Sequence, residues 1–229
     1  MSTIALFDID GTLIRAGGAG RRAVERALRE FSGAPGDSTT LDGVDFAGRT
    51  DPWIVARGLQ ARGIAVDDPT IDAVLERYLA LLPAELARSE AFEVLPGVVS
   101  LLDHLHGRAD VTLGLGTGNV EEGAYAKLRH GGIDHYFSFG GFGCDHANRP
   151  TLLSKGRDRG LARHAIDDPI VIVVGDTPHD VTAAHAIGAR CIAVCTGRHQ
   201  AAALEAAGAD LVVPDLLDSR VILEFTVRS

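Results

Sequence analysis

The sequence predicts an α/β fold: a central parallel sheet flanked by helices, with an inserted all-α unit near the N-terminus. Three observations carry this. Short β-branched or aliphatic runs bounded by Gly, Asp or Pro alternate with longer helical patterns through the second half of the chain, as a parallel sheet with helical crossovers reads in sequence. Residues 15–90 instead hold three helical patterns in succession with no convincing strand between them. The length of 229 residues suits one large domain or one domain with an insert, at about 150 residues per domain.

In chain order, the first strand spans 3–8. Helical patterns follow at 20–31, 52–62 and 69–88 and form the insert, which the breaker Leu95-Pro96-Gly97 closes before a helix at 98–106. Four further strands at 111–115, 170–174, 191–195 and 211–213 make five in all. Between and after them lie helices at 120–130, 151–164, 178–187 and 201–207, most ending near Gly or a basic residue. The expected division is a core of 1–14 with 92–229 and a helical cap of 15–91.

Composition narrows the function classes. With 46% hydrophobic and 23% charged residues the chain is neither disordered nor fibrous. Its net charge of -9, from 22 basic against 31 acidic residues, argues against a general electrostatic grip on nucleic acid or an anionic membrane. An anionic ligand therefore needs a local binding device. Three cysteines are an odd count for a disulfide framework, and Cys144, Cys191 and Cys195 read as reduced thiols. The N-terminus lacks the basic flank and cleavage region of a signal peptide, and apolar runs such as 170–174 are too short to span a bilayer. A soluble, cytoplasmic protein is expected, a monomer or homodimer with no nucleic-acid or membrane partner.

Chemistry concentrates at three strand ends. The first reads Phe7-Asp8-Ile9-Asp10-Gly11-Thr12-Leu13. In an extended chain residues two apart share a face, so Asp8 and Asp10 are expected to point together. Two carboxylates this close require a proton or a cation between them. The plain alternative, a solvated Asp-Gly turn, fits poorly directly after a buried strand. The second end is Leu115-Gly116-Thr117-Gly118-Asn119. Here the Thr117 hydroxyl and the backbone N–H groups around Gly118 and Asn119 form an expected nest for phosphate, with a simple helix cap at Asn119 as the alternative. The third is Val174-Gly175-Asp176-Thr177-Pro178-His179-Asp180, where aspartates would also suit a helix N-terminus for dipole reasons alone. All three fall at the carboxyl ends of parallel strands, the edge at which open α/β sheets bind ligands. An acidic cluster of Asp8, Asp10 and Asp176 beside an anion site points to Mg2+.

These motifs resemble those of the haloacid dehalogenase superfamily, with the insert similar to the helical cap of its phosphoglycolate phosphatase-like branch. The segment 7–12 is like the first motif, Thr117 the second and 175–180 the fourth. The resemblance implies a Rossmann-like core and a hydrolase that attacks a phosphoryl group with Asp8, forming an aspartyl phosphate. It further implies Asp10 as general acid and base, and Mg2+ held by Asp8, the Asp10 backbone carbonyl and Asp176 with support from Asp180. The substrate implied is a small phosphorylated metabolite, such as phosphoglycolate. A carboxylate nucleophile is ionised at neutral pH, so catalysis needs mainly cations to cancel charge and in-line positioning.

The family's third motif usually supplies a lysine, and this chain has only Lys127 and Lys155. Arg149 stands in the expected place before Pro150, which opens a helix. A guanidinium binds phosphate in bidentate fashion and stays charged, which favours Arg149 over Lys155. Lys127 reads as a surface residue. Residues 15–90 hold ten arginines but neither lysine nor histidine, which disfavours a phosphonate hydrolase or a phosphomutase of the same superfamily. Arg49, in Gly48-Arg49-Thr50-Asp51-Pro52, is the cap residue expected to reach substrate, unless that turn serves only to cap a helix. Trp53 reads as cap core, and His179 flanks the fourth motif. Two other functions stay open: a phosphomutase, and a non-hydrolytic phospho-acceptor signalling module, whose receiver fold also combines acidic residues, a Thr and a Lys.

Overall fold

The computed structural model describes residues 2–33, 41–164 and 168–218. Six strands, β1 (Thr3–Phe7), β4 (Val111–Gly116), β5 (Gly140–Gly141), β6 (Ile170–Gly175), β7 (Arg190–Val194) and β8 (Leu211–Val213), form one sheet. Its order is β5-β4-β1-β6-β7-β8, and every pairing is parallel. The chain leaves β1 to one side for β4 and β5, then crosses to the other for β6, β7 and β8. The strand order therefore reverses at β1, where a crevice opens beyond the carboxyl ends.

Alternation along β1 sorts the core into two layers. Ala5 and Phe7 join Leu113, Leu115, Ile172 and Val174 in a cluster that includes α4 (Val98–His106) and α5 (Glu121–His130). Ile4 and Leu6 join Val173 and Cys191 on the opposite face, covered by α6 (Arg149–His164), α7 (Pro178–Ala186) and α8 (Ala201–Ala206). Burial on both faces explains why the strands read as continuous apolar runs.

The insert is α1 (Ala19–Ser32), α2 (Asp51–Ala61) and α3 (Asp68–Ala87). Thr50 caps α2 by accepting the Trp53 N–H, and Asp67 caps α3 by accepting from Thr70. The chain enters and leaves this helical unit through an antiparallel ribbon of β2 (Ile14–Ala16) and β3 (Phe92–Val94), in register from Ile14 opposite Val94 to Ala16 opposite Phe92. Beyond the five expected strands the structure adds β2, β3 and β5, each too short for an alternating pattern to show. Among the described residues no helix is long and apolar enough to cross a membrane.

α6 lies unusually close to the sheet edge. A Cβ on Gly141 of β5 would fall 1.8 Å from the Leu152 carbonyl oxygen, and one on Gly156 would fall 2.8 Å from the Gly141 nitrogen. This glycine contact seats the helix and so fixes where its first residue, Arg149, projects. Gly141→Ala is expected to cost about 1–3 kcal/mol by overpacking and to lower turnover by moving Arg149, read from urea unfolding and phosphate release; unchanged stability would show that the strand edge tolerates a wider gap.

Candidate active site

The ends of β1, β4, β6 and β7 open onto one cavity of about 510 Å3, which Asp8, Thr117, Asp176 and Gly197 line from the sheet. Val24, Ile54, Leu75 and Tyr78 of the three insert helices line it from the other side. Asp8 extends the β1 ladder by one residue, its N–H donating to the Val174 carbonyl at 2.9 Å. The chain then turns sharply at Gly11 (φ 87°), and a Cβ there would lie 2.5 Å from Asp176 Oδ2. Glycine thus gives both the left-handed turn and room for the Asp176 carboxylate. The Thr196 hydroxyl, after β7, donates to the Gly11 carbonyl at 2.6 Å and holds that turn.

Arg149 opens α6 and is buried, with 7% of its surface exposed. Its Nη2 lies 3.0 Å from Asp8 Oδ2 and also pairs with Asp180 Oδ1. Asp180 closes a capping box on α7: its Oδ2 accepts the Thr177 N–H at 3.0 Å and the Thr177 hydroxyl at 2.7 Å. The capping reading of this motif is met by one oxygen of Asp180, while the other pairs with Arg149. Lys155, by contrast, is exposed on α6 and does not line the cavity. Its position, nearly two turns into the helix, carries it away from the strand ends.

Asp8, Asp176 and Asp180 present carboxylate oxygens that all lie within 4.8 Å of one another. Burial, opposed by Arg149, raises the Asp8 pKa to about 6. Burial, reinforced by the Asp180 and Asp8 charges, raises Asp176 to about 8. One guanidinium balances one of three buried carboxylates, and the remaining negative charge on hard oxygen donors fits a divalent cation. The side chain of Asp10 is not part of this cluster.

Asp8 and Asp10 line one cavity, and Phe7 and Ile9 share one core cluster, but the two carboxylates do not join one acidic group. The strand ends at Phe7, and the two carboxylates find partners from opposite faces of the sheet. Asp8 meets Arg149 of α6, whereas Asp10 Oδ2 accepts from Lys127 Nζ of α5 at 2.6 Å and from Asn119 Nδ2 at 2.9 Å. Lys127, read from sequence as a surface residue, is 4% exposed and lines the cavity. Burial alone would lower its pKa, but the Asp10 and Asp51 charges outweigh it and hold the ammonium above the usual lysine range. Its sequence signal was faint: the chain holds only two lysines, and this one sits two residues after Tyr125 on a helix of mixed polarity.

Thr117 is fully buried, and its hydroxyl oxygen accepts from Asn119 Nδ2 at 2.8 Å and from the Asn119 N–H at 3.3 Å. Its own proton has no acceptor among the described residues and is left for a ligand. The expected backbone nest is mostly used up. The Thr117 N–H donates to the Gly141 carbonyl, the Asn119 N–H to Thr117, and the Val120 N–H to Asp51 Oδ2 at 2.9 Å. Of this turn's amides, that of Gly118 is the one with no acceptor among the described residues, so an anion here would be gripped chiefly by Thr117, Gly118 and Arg149.

Asp51, the first residue of α2, was missed as more than a cap. It is half-buried, and its N–H also donates to the Gly118 carbonyl at 2.8 Å. Burial raises its pKa to about 6, against the pull of Lys127. Two hydrogen bonds thus tie the insert to the loop after β4. Arg49 lies just before, exposed at the cavity with its guanidinium 4.6 Å from the centre of the Trp53 ring. Trp53 is partly buried against the core cluster. His179 lies beside Gly48, and burial together with the Arg49 and Arg149 charges lowers its pKa. The cysteines are all free thiols, of which Cys144 is exposed and Cys191 buried.

A family model for haloacid dehalogenase-like hydrolases matches residues 5–194. The chain belongs to this family. It is 29% identical to the probable phosphatase IndB of Dickeya dadantii, over 93% of this chain and 90% of that one. It is also 29% identical to a phosphoglycolate phosphatase of Rhodospirillum rubrum, covering 86% of this chain and 81% of the relative. Among solved structures, that of a predicted phosphatase from Clostridium acetobutylicum matches with a TM-score of 0.71 at 21% identity, over 98% of this chain and 99% of that one.

The raised carboxylates make metal-free stability depend on pH. Asp176 binds a proton in the folded state up to about pH 8, whereas its unfolded counterpart releases it near the ordinary value of 3.8. Stability supplied by that proton is complete at the acid end and is lost as pH rises through the folded value. In chelator, the thermal midpoint is expected to fall between about pH 5 and about pH 8 more steeply than in Asp176→Asn, and a divalent cation should raise it most at the alkaline end. Equal slopes in the two proteins would refute this.

Proposed function

We propose that the protein is a magnesium-dependent phosphomonoesterase that acts on a small phosphorylated metabolite through an aspartyl phosphate on Asp8. That it is a haloacid dehalogenase-like phosphatase rests on the family match and on the curated relatives named phosphatases. The finer reading rests above all on one arrangement: buried Asp8 held by Arg149 beside Asp176 and Asp180, in a cavity that Thr117 also lines. Phosphoglycolate, the substrate of the Rhodospirillum rubrum relative by its name, is one candidate.

Asp8 is the nucleophile and needs no activating base once ionised. Arg149 holds the reacting carboxylate in place and cancels part of its charge, which lets a phosphate dianion approach. The Thr117 hydroxyl and the Gly118 N–H donate to the non-bridging phosphoryl oxygens. Asp10, at the edge of the same cavity, gives a proton to the leaving oxygen and later takes one from water. Asp8 and Asp176 would hold Mg2+, with Asp180 engaged by Arg149 and Thr177. When bound, the ion supplies electrostatic stabilisation of the transferring phosphoryl group. The insert covers the strand ends, and its movement would admit substrate and exclude water during transfer.

A phosphomutase is disfavoured because residues 15–90 bring no lysine or histidine to move a proton on a sugar hydroxyl. A stable phospho-acceptor is disfavoured by Asp10, a second carboxylate on the same cavity able to activate water.

Phosphate release from a panel of phosphorylated metabolites tests the reading. Turnover is expected with magnesium, not with chelator, and not in Asp8→Asn; magnesium-independent release, or full activity in Asp8→Asn, would overturn it. Arg149→Ala is expected to lose at least about 100-fold in kcat/KM while exposed Lys155→Ala stays near normal. Arg49→Ala is expected to raise KM several-fold for the best metabolite and to spare a small artificial ester. Equal loss on both would assign Arg49 a structural role.

A further inference from the structure

Lys127 is not the cation that completes the phosphoryl site, since Arg149 fills that place, yet it is buried at the mouth of the same cavity. A buried ammonium must be satisfied by specific partners, and those of Lys127 are unusually informative. One N–H donates to Asp10 Oδ2 and another to Asn119 Oδ1, each at 2.6 Å. The Asn119 amide nitrogen in turn donates to the same Asp10 oxygen at 2.9 Å and to the Thr117 hydroxyl at 2.8 Å. Both donors therefore hold Oδ2, and Asp10 Oδ1 has no hydrogen bond among the described residues.

This asymmetry is a positioning device. Asp10 lies past the end of β1 with a side chain 43% exposed, so its carboxyl group would otherwise rotate. Gripping one oxygen from two directions fixes the plane of the group and presents the other to the cavity. Asn119 adds a second consequence. Its amide bonds both Thr117 and Asp10, and its backbone N–H also donates to the Thr117 hydroxyl at 3.3 Å, so the Thr117 hydroxyl keeps its orientation without Lys127.

We propose that Lys127 is a positioning residue for leaving-group protonation: through Asp10 Oδ2 and Asn119 it aims Asp10 Oδ1 at the bridging oxygen of a phosphate ester. This rests on the phosphatase reading above. In the step concerned, an Asp8 oxygen forms a bond to phosphorus while the bond from phosphorus to the alcohol oxygen breaks, its electron pair staying on that oxygen. The proton on Asp10 Oδ1 moves to the same oxygen, so the products are the aspartyl phosphate, the neutral alcohol and ionised Asp10. Alkyl esters depend on that proton because an alkoxide is a poor leaving group. Aryl esters with an acidic phenol do not.

The test compares an alkyl phosphate, the best metabolite of the panel, with p-nitrophenyl phosphate in the wild type, Lys127→Met and Lys127→Arg, all with magnesium. The quantity read is kcat/KM, which in a mechanism with a covalent intermediate reports only the first transfer and not the later attack of water. For Lys127→Met, the alkyl ester is expected to lose about 100-fold or more and the aryl ester less than about 5-fold, the range that general acid catalysis supplies. Lys127→Arg, which keeps a cation that can donate to Asp10, should recover part of the alkyl-ester rate. Thermal midpoints check that each variant folds, and Lys127→Gln replaces Lys127→Met should the latter fail. Equal losses on both esters, or none on either, would overturn the proposal while leaving the phosphatase reading intact. A wild type that releases phosphate from neither ester would overturn both.

Discussion

Arg149 is a positive charge buried between two carboxylates, and much of the surrounding architecture serves to keep it there. A guanidinium removed from water is costly unless its charge is matched, and here Asp8 and Asp180 supply the match at Nη2, while the buried Nε has no partner among the described residues. Asp180 can do so only because Thr177 holds its other oxygen in the capping box of α7. The first residue of α6 can reach the strand ends only because Gly141 and Gly156 let that helix touch the sheet edge. Removing the arginine would strand three buried acids together. Without it, Asp8 and Asp176 would be pushed still further toward their protonated forms, and a protonated Asp8 is no nucleophile.

The same logic operates a second time on the other face of the sheet. Lys127 is to Asp10 what Arg149 is to Asp8: a cation from the flanking helix that fixes one carboxylate of the first motif. The partners differ in kind, and the difference suits the tasks. In the proposed mechanism, a planar guanidinium paired with two acids suits a nucleophile that must stay ionised and still. A lysine sharing its protons between Asp10 and an amide leaves one carboxylate oxygen at liberty, as a group that gives and takes a proton requires.

Legibility from sequence followed the range of the forces involved. The five longer strands and the eight α-helices of the described residues were readable because each is set by local periodicity and local caps. Asp8, Asp176 and Asp180 were readable because the strand-to-helix turns that place them are continuous in sequence. Arg149 was readable only jointly, from Pro150 beside it and from the resemblance to a known motif. What failed were inferences that depended on tertiary partners. Asp8, Asp10 and Asp176 were expected to form the acidic cluster, but Asp180 stands in the place of Asp10, whose carboxylate goes to Lys127 and Asn119. The turn at Thr117 was expected to offer its amides to a ligand, but Gly141 and Asp51 take two of them. Lys127 was assigned to the surface because α5 has too mixed a polarity to reveal its inner face, and nothing local announces that Asp10 and Asn119 wait at its tip.

Asp51 shows how the insert and the sheet become one site. An acidic residue at the start of α2 would ordinarily be explained by the helix dipole alone. Here it is half-buried, and it both donates to Gly118 and accepts from Val120, so it replaces the backbone pairing that the loop after β4 lacks. That loop holds Thr117 and Asn119, and through Asn119 it bears on Lys127 and Asp10. The position of α2 is therefore linked, through hydrogen bonds and the loop backbone, to the Thr117 hydroxyl and to the Asp10 carboxylate. A ligand bound between the insert and the strand ends would meet both groups already oriented. A displaced insert would loosen both together, so residues on either side of the cavity share in setting the geometry of transfer.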